Sequence, residues 1–94
     1  MKIIVRNSKS SKHMFDANRI IHATDDYGSY YKSPKITVHL DELDSKIEFT
    51  EVYALNEHGI RSFRKCVTLE EFYEFLEEET RHLKGTKSHE STEN

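Results

Sequence analysis

Three tyrosines and two lysines crowd one stretch, Tyr27-Gly28-Ser29-Tyr30-Tyr31-Lys32-Ser33-Pro34-Lys35. These residue types support contact chemistry of two kinds. Aromatic faces can stack on unpaired bases while ammonium groups meet phosphates. Tyr rings also make good protein contacts, because each offers a large area at low entropic cost. A third reading stays open, in which the rings pack back onto the fold's own sheet. With Arg19 added from upstream, Tyr27, Tyr30, Tyr31, Lys32 and Lys35 form the candidate binding set.

A second feature is acidic. Six Glu lie between Glu70 and Glu79, and helical spacing puts Glu70, Glu74, Glu77 and Glu78 on one face. Such a face could imitate phosphates and fill the basic groove of a nucleic-acid enzyme. It could equally be a solvated helix surface, and a net charge of −3 is small for a dedicated mimic.

The signs of catalysis are thin. His13, His22, His39, His58, His82 and His89 include no pair at the spacing of two zinc ligands, and one cysteine cannot build a thiolate cluster. Cys66 with a histidine is the only inexpensive nucleophile–base pair. It lies two residues before a helix cap, where its pKa could fall, but a lone strand cysteine is usually a small core residue. The carboxylate pairs Asp25-Asp26, Asp41-Glu42 and Glu70-Glu71 fall in polar loops or at a helix start, where ionisation is favoured and no raised acid is expected. Gly28, Gly59 and Gly85 are isolated, so no phosphate-cradling loop is present. The expectation is therefore no enzyme, no metal and no cofactor. An active site built between two subunits, from two histidines or from Cys66 and a histidine, is the enzymatic alternative.

The elements that must position these residues point to an α+β domain. Thr68-Leu69-Glu70-Glu71 matches a capping box, with Val67 and Phe72 at the spacing of a hydrophobic staple. Leu69, Phe72, Tyr73, Leu76 and Leu83 then fall on one face, with Phe75 at its edge. Glu77–Arg81 and Glu78–His82 are acid-first pairs four residues apart. Acids early, bases late and Gly85 as a stop predict a helix over 68–84. Upstream, Lys46 to Leu55 alternates and predicts one strand, with Ile47, Phe49, Tyr53 and Leu55 inward. A turn at 56–59 returns the chain as Ile60–Val67. Pairing Leu55 with Ile60 sets Val52 against Phe63 and Glu51 against Arg64. Ile36–Leu40 and Lys2–Arg6 are two more strands. The latter is apolar enough to be central, yet either could also form an edge open to self-pairing. Met14–Thr24 fits a short helix capped by Asp16 or two short strands. Asn7–Lys12 and Asp25–Pro34 are loops.

The expected architecture is a small, mostly antiparallel sheet of about four to five strands, covered on one face by a C-terminal amphipathic helix. Residues 1–85 form one domain, and 86–94, with no apolar residue, form a disordered polar tail.

Composition limits the rest. The chain has 94 residues, 35% hydrophobic and 33% charged, enough for one thin core. No run approaches the ~20 apolar residues of a membrane span, and the first residues are too short an apolar run for a signal peptide. One cysteine fits a reducing, cytoplasmic compartment. Residues 1–35 carry net +4 and residues 36–94 net −7, a dipolar arrangement that can steer a partner or a second copy. These features favour a small non-enzymatic binding protein, a regulator, inhibitor or adaptor that covers a surface of a partner protein. Size and plainness suit the counter-defence or host-takeover inhibitors of phages and mobile elements. The alternative is a nucleic-acid-binding module using Lys2, Arg6, Lys9, Lys12, Arg19 and the Tyr/Lys loop, and self-association is open in either case.

Overall fold

Asp16 and Thr50 are the two corners about which this chain folds. The computed structural model describes residues 1–7, 12–42 and 45–91, with side chains described through Arg81. Lys9, the Glu78–His82 pair, Leu83 and residues 92–94 of the expected tail lie outside that description.

At the first corner both alternatives for Met14–Thr24 are realised. Strands β2 (His13–Asp16) and β3 (Ile20–Asp25) are joined by a 3-10 turn at Ala17–Arg19. The Asp16 carboxylate accepts from the Asn18 N–H at 3.0 Å and from the Met1 ammonium at 3.3 Å. These donors hold the Asp16 carboxyl below the usual range, the Asn18 N–H contributing most.

The second corner corrects an expectation. Lys46 to Leu55 is not one strand but two, β5 (Lys46–Phe49) and β6 (Glu51–Asn56), lying in different sheets. Thr50 between them donates its N–H to the Arg6 carbonyl at 3.1 Å and accepts from the Cys66 N–H at 2.9 Å. The bend reverses the alternation. Ile47 and Phe49 pack inward as expected, but beyond Thr50 the buried residues are Val52 and Ala54, not Tyr53 and Leu55.

With β1 (Lys2–Arg6), β4 (Ile36–Leu40) and β7 (Gly59–Lys65), the strands make two antiparallel sheets, β2-β1-β6-β7 and β3-β4-β5. The α+β expectation holds, but with seven strands in two sheets rather than four to five in one. The pairings close a ring: β1 on β2, round the Asp16 corner to β3, then β4, β5, round Thr50 to β6, and back to β1. Both Lys2–Arg6 and Ile36–Leu40 are therefore interior strands, and neither is an edge. Ile3, Val5, Phe15, Ile36, Val38 and Phe49 fill the space between the sheets.

The β6–β7 hairpin shows a one-residue shift. Leu55 pairs with Ile60 as expected, and Gly59 takes the positive φ, +119°, that the turn requires. Arg61 is then left out of the ladder as a bulge, so Tyr53 faces Phe63, Val52 faces Arg64 and Glu51 faces Lys65. The expected pairs Val52–Phe63 and Glu51–Arg64 are each one residue out.

Helix α1 (Leu69–Ser91) starts as the capping box predicts. The Glu71 N–H donates to Thr68 Oγ1 at 3.1 Å, and Glu71 Oε1 accepts from the Val67 and Thr68 N–H groups at 2.8 and 3.1 Å. Asp25, at the end of β3, adds a carboxylate 2.6 Å from the Leu69 N–H, which the helix dipole favours. The buried face is rotated from the expected one. Phe72 and Phe75 are fully buried, while Tyr73 is half-exposed. The rotation goes with Glu79, which Arg61 on the bulge meets at 2.8 Å and so draws toward β7. Arg64 also reaches Glu78 at 2.6 Å and sits over the Phe75 ring at 5.6 Å. The helical backbone continues through Gly85 to Ser91, past the expected stop. A glycine inside a helix costs only about 1 kcal/mol relative to Ala, and no proline follows it. No helix among the described residues is long and apolar enough to cross a membrane.

Candidate functional site

Residues 26–35 connect β3 to β4, and their conformation is set at the neck. The Asp26 N–H donates to the Lys35 carbonyl at 3.1 Å, and the Lys35 ammonium lies 2.9 Å from the Asp26 carboxylate. Lys32 approaches the same carboxylate at 4.0 Å. The Lys35 ammonium is the main reason the Asp26 carboxyl sits below its usual range, and Asp26 in turn raises the Lys35 pKa. Inside the neck, the Ser29 N–H donates to the Asp26 carbonyl at 2.9 Å, and Gly28 adopts φ +90°. Few side chains other than glycine tolerate that conformation.

A closed neck of this kind pushes the rings outward. Tyr27, Tyr30 and Tyr31 are 64%, 88% and 90% exposed, and none packs back onto a sheet. Tyr30 and Tyr31 meet edge to face with centroids 4.7 Å apart, the preferred arrangement of two aromatic quadrupoles. The result is an aromatic tip on a closed neck, in which Lys35 is answered by the loop's own carboxylate while Lys32 stands mostly exposed.

Arg19 does not belong to this tip. It sits at the opposite end of the β3–β4 hairpin, held 2.9 Å from Asp41 and 2.6 Å from Glu42. Those two carboxylates keep it charged and occupied, raising its pKa further, Asp41 foremost. Arg6 is 3.2 Å from Glu51. Among the described residues of the first third, Arg6, Arg19 and Lys35 are thus each matched by an acid and lie on different elements rather than in one stripe.

The acidic helix residues divide similarly. Glu71 caps, Glu78 and Glu79 bind Arg64 and Arg61, and Glu77 lies 3.8 Å from Arg81. Glu70 and Glu74 remain exposed. Within the expected phosphate-mimicking row, Glu77 and Glu78 are thus already paired inside the fold, and Glu78 helps to fix the helix to β7.

Cys66 is fully buried, and burial pushes its thiol up to about 11, so it is protonated at neutral pH. His22 and His39 face each other across β3 and β4 with ring centroids 5.4 Å apart, a pairing invisible in the sequence spacing. Among the described residues no three His, Cys, Asp or Glu side chains gather as metal ligands.

Sequence reasoning missed one exposed surface, the outer side of the β2-β1-β6-β7 sheet. Met14, Ile4, Tyr53 and Phe63 lie on it in register. The run Ile3-Ile4-Val5 hid it by reading as wholly buried, although strict alternation from Ile3 and Val5 turns Ile4 outward.

No protein-family model matches the chain, no curated protein matches its sequence, and no solved structure matches its fold.

Proposed function

We propose that this chain is a small non-enzymatic binding protein, a regulator, inhibitor or adaptor, that covers a surface of a partner protein through its tyrosine tip. The observation that carries the reading is the near-complete exposure of Tyr30 and Tyr31 on a loop whose neck is fixed by Asp26 and Lys35. Two rings held out of the core have no stabilising role at home, and fixing the neck beforehand lowers the entropy lost on binding. Tyr supplies hot-spot area together with a hydroxyl that can meet polar groups of a protein surface. A nucleic-acid site needs cations that are available for phosphate, whereas Lys35 and Arg19 already hold carboxylates. A reducing cytoplasmic setting fits the lone Cys66, and the size suits an inhibitor carried by a phage or mobile element.

The test is capture of partners from a lysate with the tagged chain, with and without nuclease. The reading predicts a stoichiometric protein that survives nuclease. Loss of all bound material on nuclease treatment, with steep salt dependence of oligonucleotide binding, would replace it by the nucleic-acid reading.

A further inference from the structure

The outer side of the four-stranded sheet carries its own pattern. Antiparallel partners share a face, so the register Met14↔Ile4↔Tyr53↔Phe63 is one apolar row crossing all four strands. Met14 and Phe63 are 62% and 52% exposed, and Tyr53 and Phe63 stack with centroids 4.9 Å apart. Two residues further along each strand lies a charged row, Arg6↔Glu51↔Lys65, positive, negative, positive. Helix α1 packs on the other side, through Arg64 to Glu78, and no described element covers this face.

We propose that this face binds a second copy of the chain, about a two-fold axis parallel to the strands and centred between β1 and β6. That operation places β1 over β6 and β2 over β7 of the second copy. Each row then meets itself in reverse order, as an isologous interface requires. Met14 packs on Phe63, a favourable sulfur–aromatic contact, and Ile4 packs on Tyr53. Arg6 comes over Glu51 of the second copy, so the two intramolecular Arg6–Glu51 pairs join into a ring of four alternating charges. Turning the axis by a right angle would instead set Arg6 over Lys2, like charge on like. The charge pattern therefore selects one of the two face-to-face arrangements. The remaining like-charge approach, Lys12 to Lys65, falls at the exposed rim, where salt screens it. Stacked sheets lie about 10 Å apart, which these side chains span. Four strands at ~4.8 Å spacing give a face smaller than the ~800 Å² per partner of a standard interface, so the dimer is weak, in the micromolar range or above.

Sedimentation equilibrium of the full chain tests this up to about 1 mM, a range that covers weak complexes. Wild type is expected to pass from monomer to dimer. Phe63→Glu and, separately, Met14→Glu are expected to stay monomeric, with far-UV circular dichroism confirming that each is folded. The decisive arm is a charge exchange. Arg6→Glu alone and Glu51→Arg alone should each self-associate at least about tenfold more weakly, because each sets like charges over one another. An equal mixture of the two should regain dimer. In the mixed pair the acid introduced in the first variant lies over the base introduced in the second, and the native Glu51 of the first lies over the native Arg6 of the second. Wild type that stays monomeric throughout overturns the proposal. So does a dimer unchanged by both glutamate variants, or a mixture no more associated than its components.

Discussion

The start of the helix and the tyrosine tip both adjoin the end of β3, yet they are built on opposite terms. At the helix start the polar groups bond one another: Thr68 and Glu71 cap each other, Asp25 meets the Leu69 N–H, and Phe72 is buried against Phe49 with ring centroids 5.2 Å apart. At the tip only the neck is fixed, by Asp26 and Lys35, while the large side chains face solvent. One region holds the fold together and offers little to a partner. The other contributes little to the fold and offers two rings. On the proposed reading stability and recognition are separable in this chain, and substitutions should sort cleanly into one effect or the other.

The largest effect is expected from Phe72→Ala. Removing a fully buried ring that touches Phe49 should cost about 3–5 kcal/mol, read as a fall in the midpoint of urea denaturation. A change near zero would mean that the helix is not part of the core. Next comes the cap. Thr68→Ala should cost about 1 kcal/mol, and Glu71→Ala a similar amount, with less than additive loss in the double variant because each bonds the other.

The cap also sets a pH dependence. The Val67 N–H, then other donors at the helix start, hold the Glu71 carboxyl below its usual range. A group with a lowered folded pKa stabilises the fold fully above its unfolded value, about 4.3 for Glu, and that contribution fades as pH falls through the folded value. Asp16 and Asp26 act in the same direction. Thermal midpoints should thus decline below about pH 4, the range of free Asp and Glu. The decline should be shallower in Glu71→Gln, which lacks one of the titrating groups. An identical acid limb in that variant would show that the cap does not carry the effect.

The smallest stability effects belong to the tip. Asp26→Asn removes an ion pair that is open to water, so the urea midpoint should barely move. It should nevertheless weaken partner binding, because the neck no longer presets the rings. Tyr30→Ser combined with Tyr31→Ser should leave stability within about 0.5 kcal/mol of wild type, as expected for exposed positions.

What is readable in the chain follows the same divide. The capping box is legible atom by atom, because its partners are three residues apart and helix geometry fixes them. The loop, expected at 25–34 and found at 26–35, the hairpin turn and the burial of Cys66 are also legible, since glycine, proline and a lone strand thiol carry local meaning. Thr50 is not. Its corner depends on Arg6 and Cys66, both far away in sequence, and the one local sign of it is Glu51, an acid at the inward parity of Ile47, Phe49, Tyr53 and Leu55. The Arg61 bulge and the rotated helix face meet in one contact that is equally remote, the Arg61–Glu79 pair. Among the site residues, the tyrosines stand out by type and spacing. The separation of Arg19 from them does not, because Arg19 precedes β3 and the tyrosines follow it, and the Met14–Phe63 row exists only through cross-strand register.

On the proposed reading, recognition rests on the tip and not on the fold's stabilising contacts. The most direct measurement compares, after nuclease treatment, the amount of partner protein captured by wild type and by the Tyr30→Ser, Tyr31→Ser double variant, with urea midpoints recorded for both. Equal midpoints with capture lost in the variant is the predicted result. Equal midpoints with capture undiminished would contradict the account and place the contact elsewhere on the molecule.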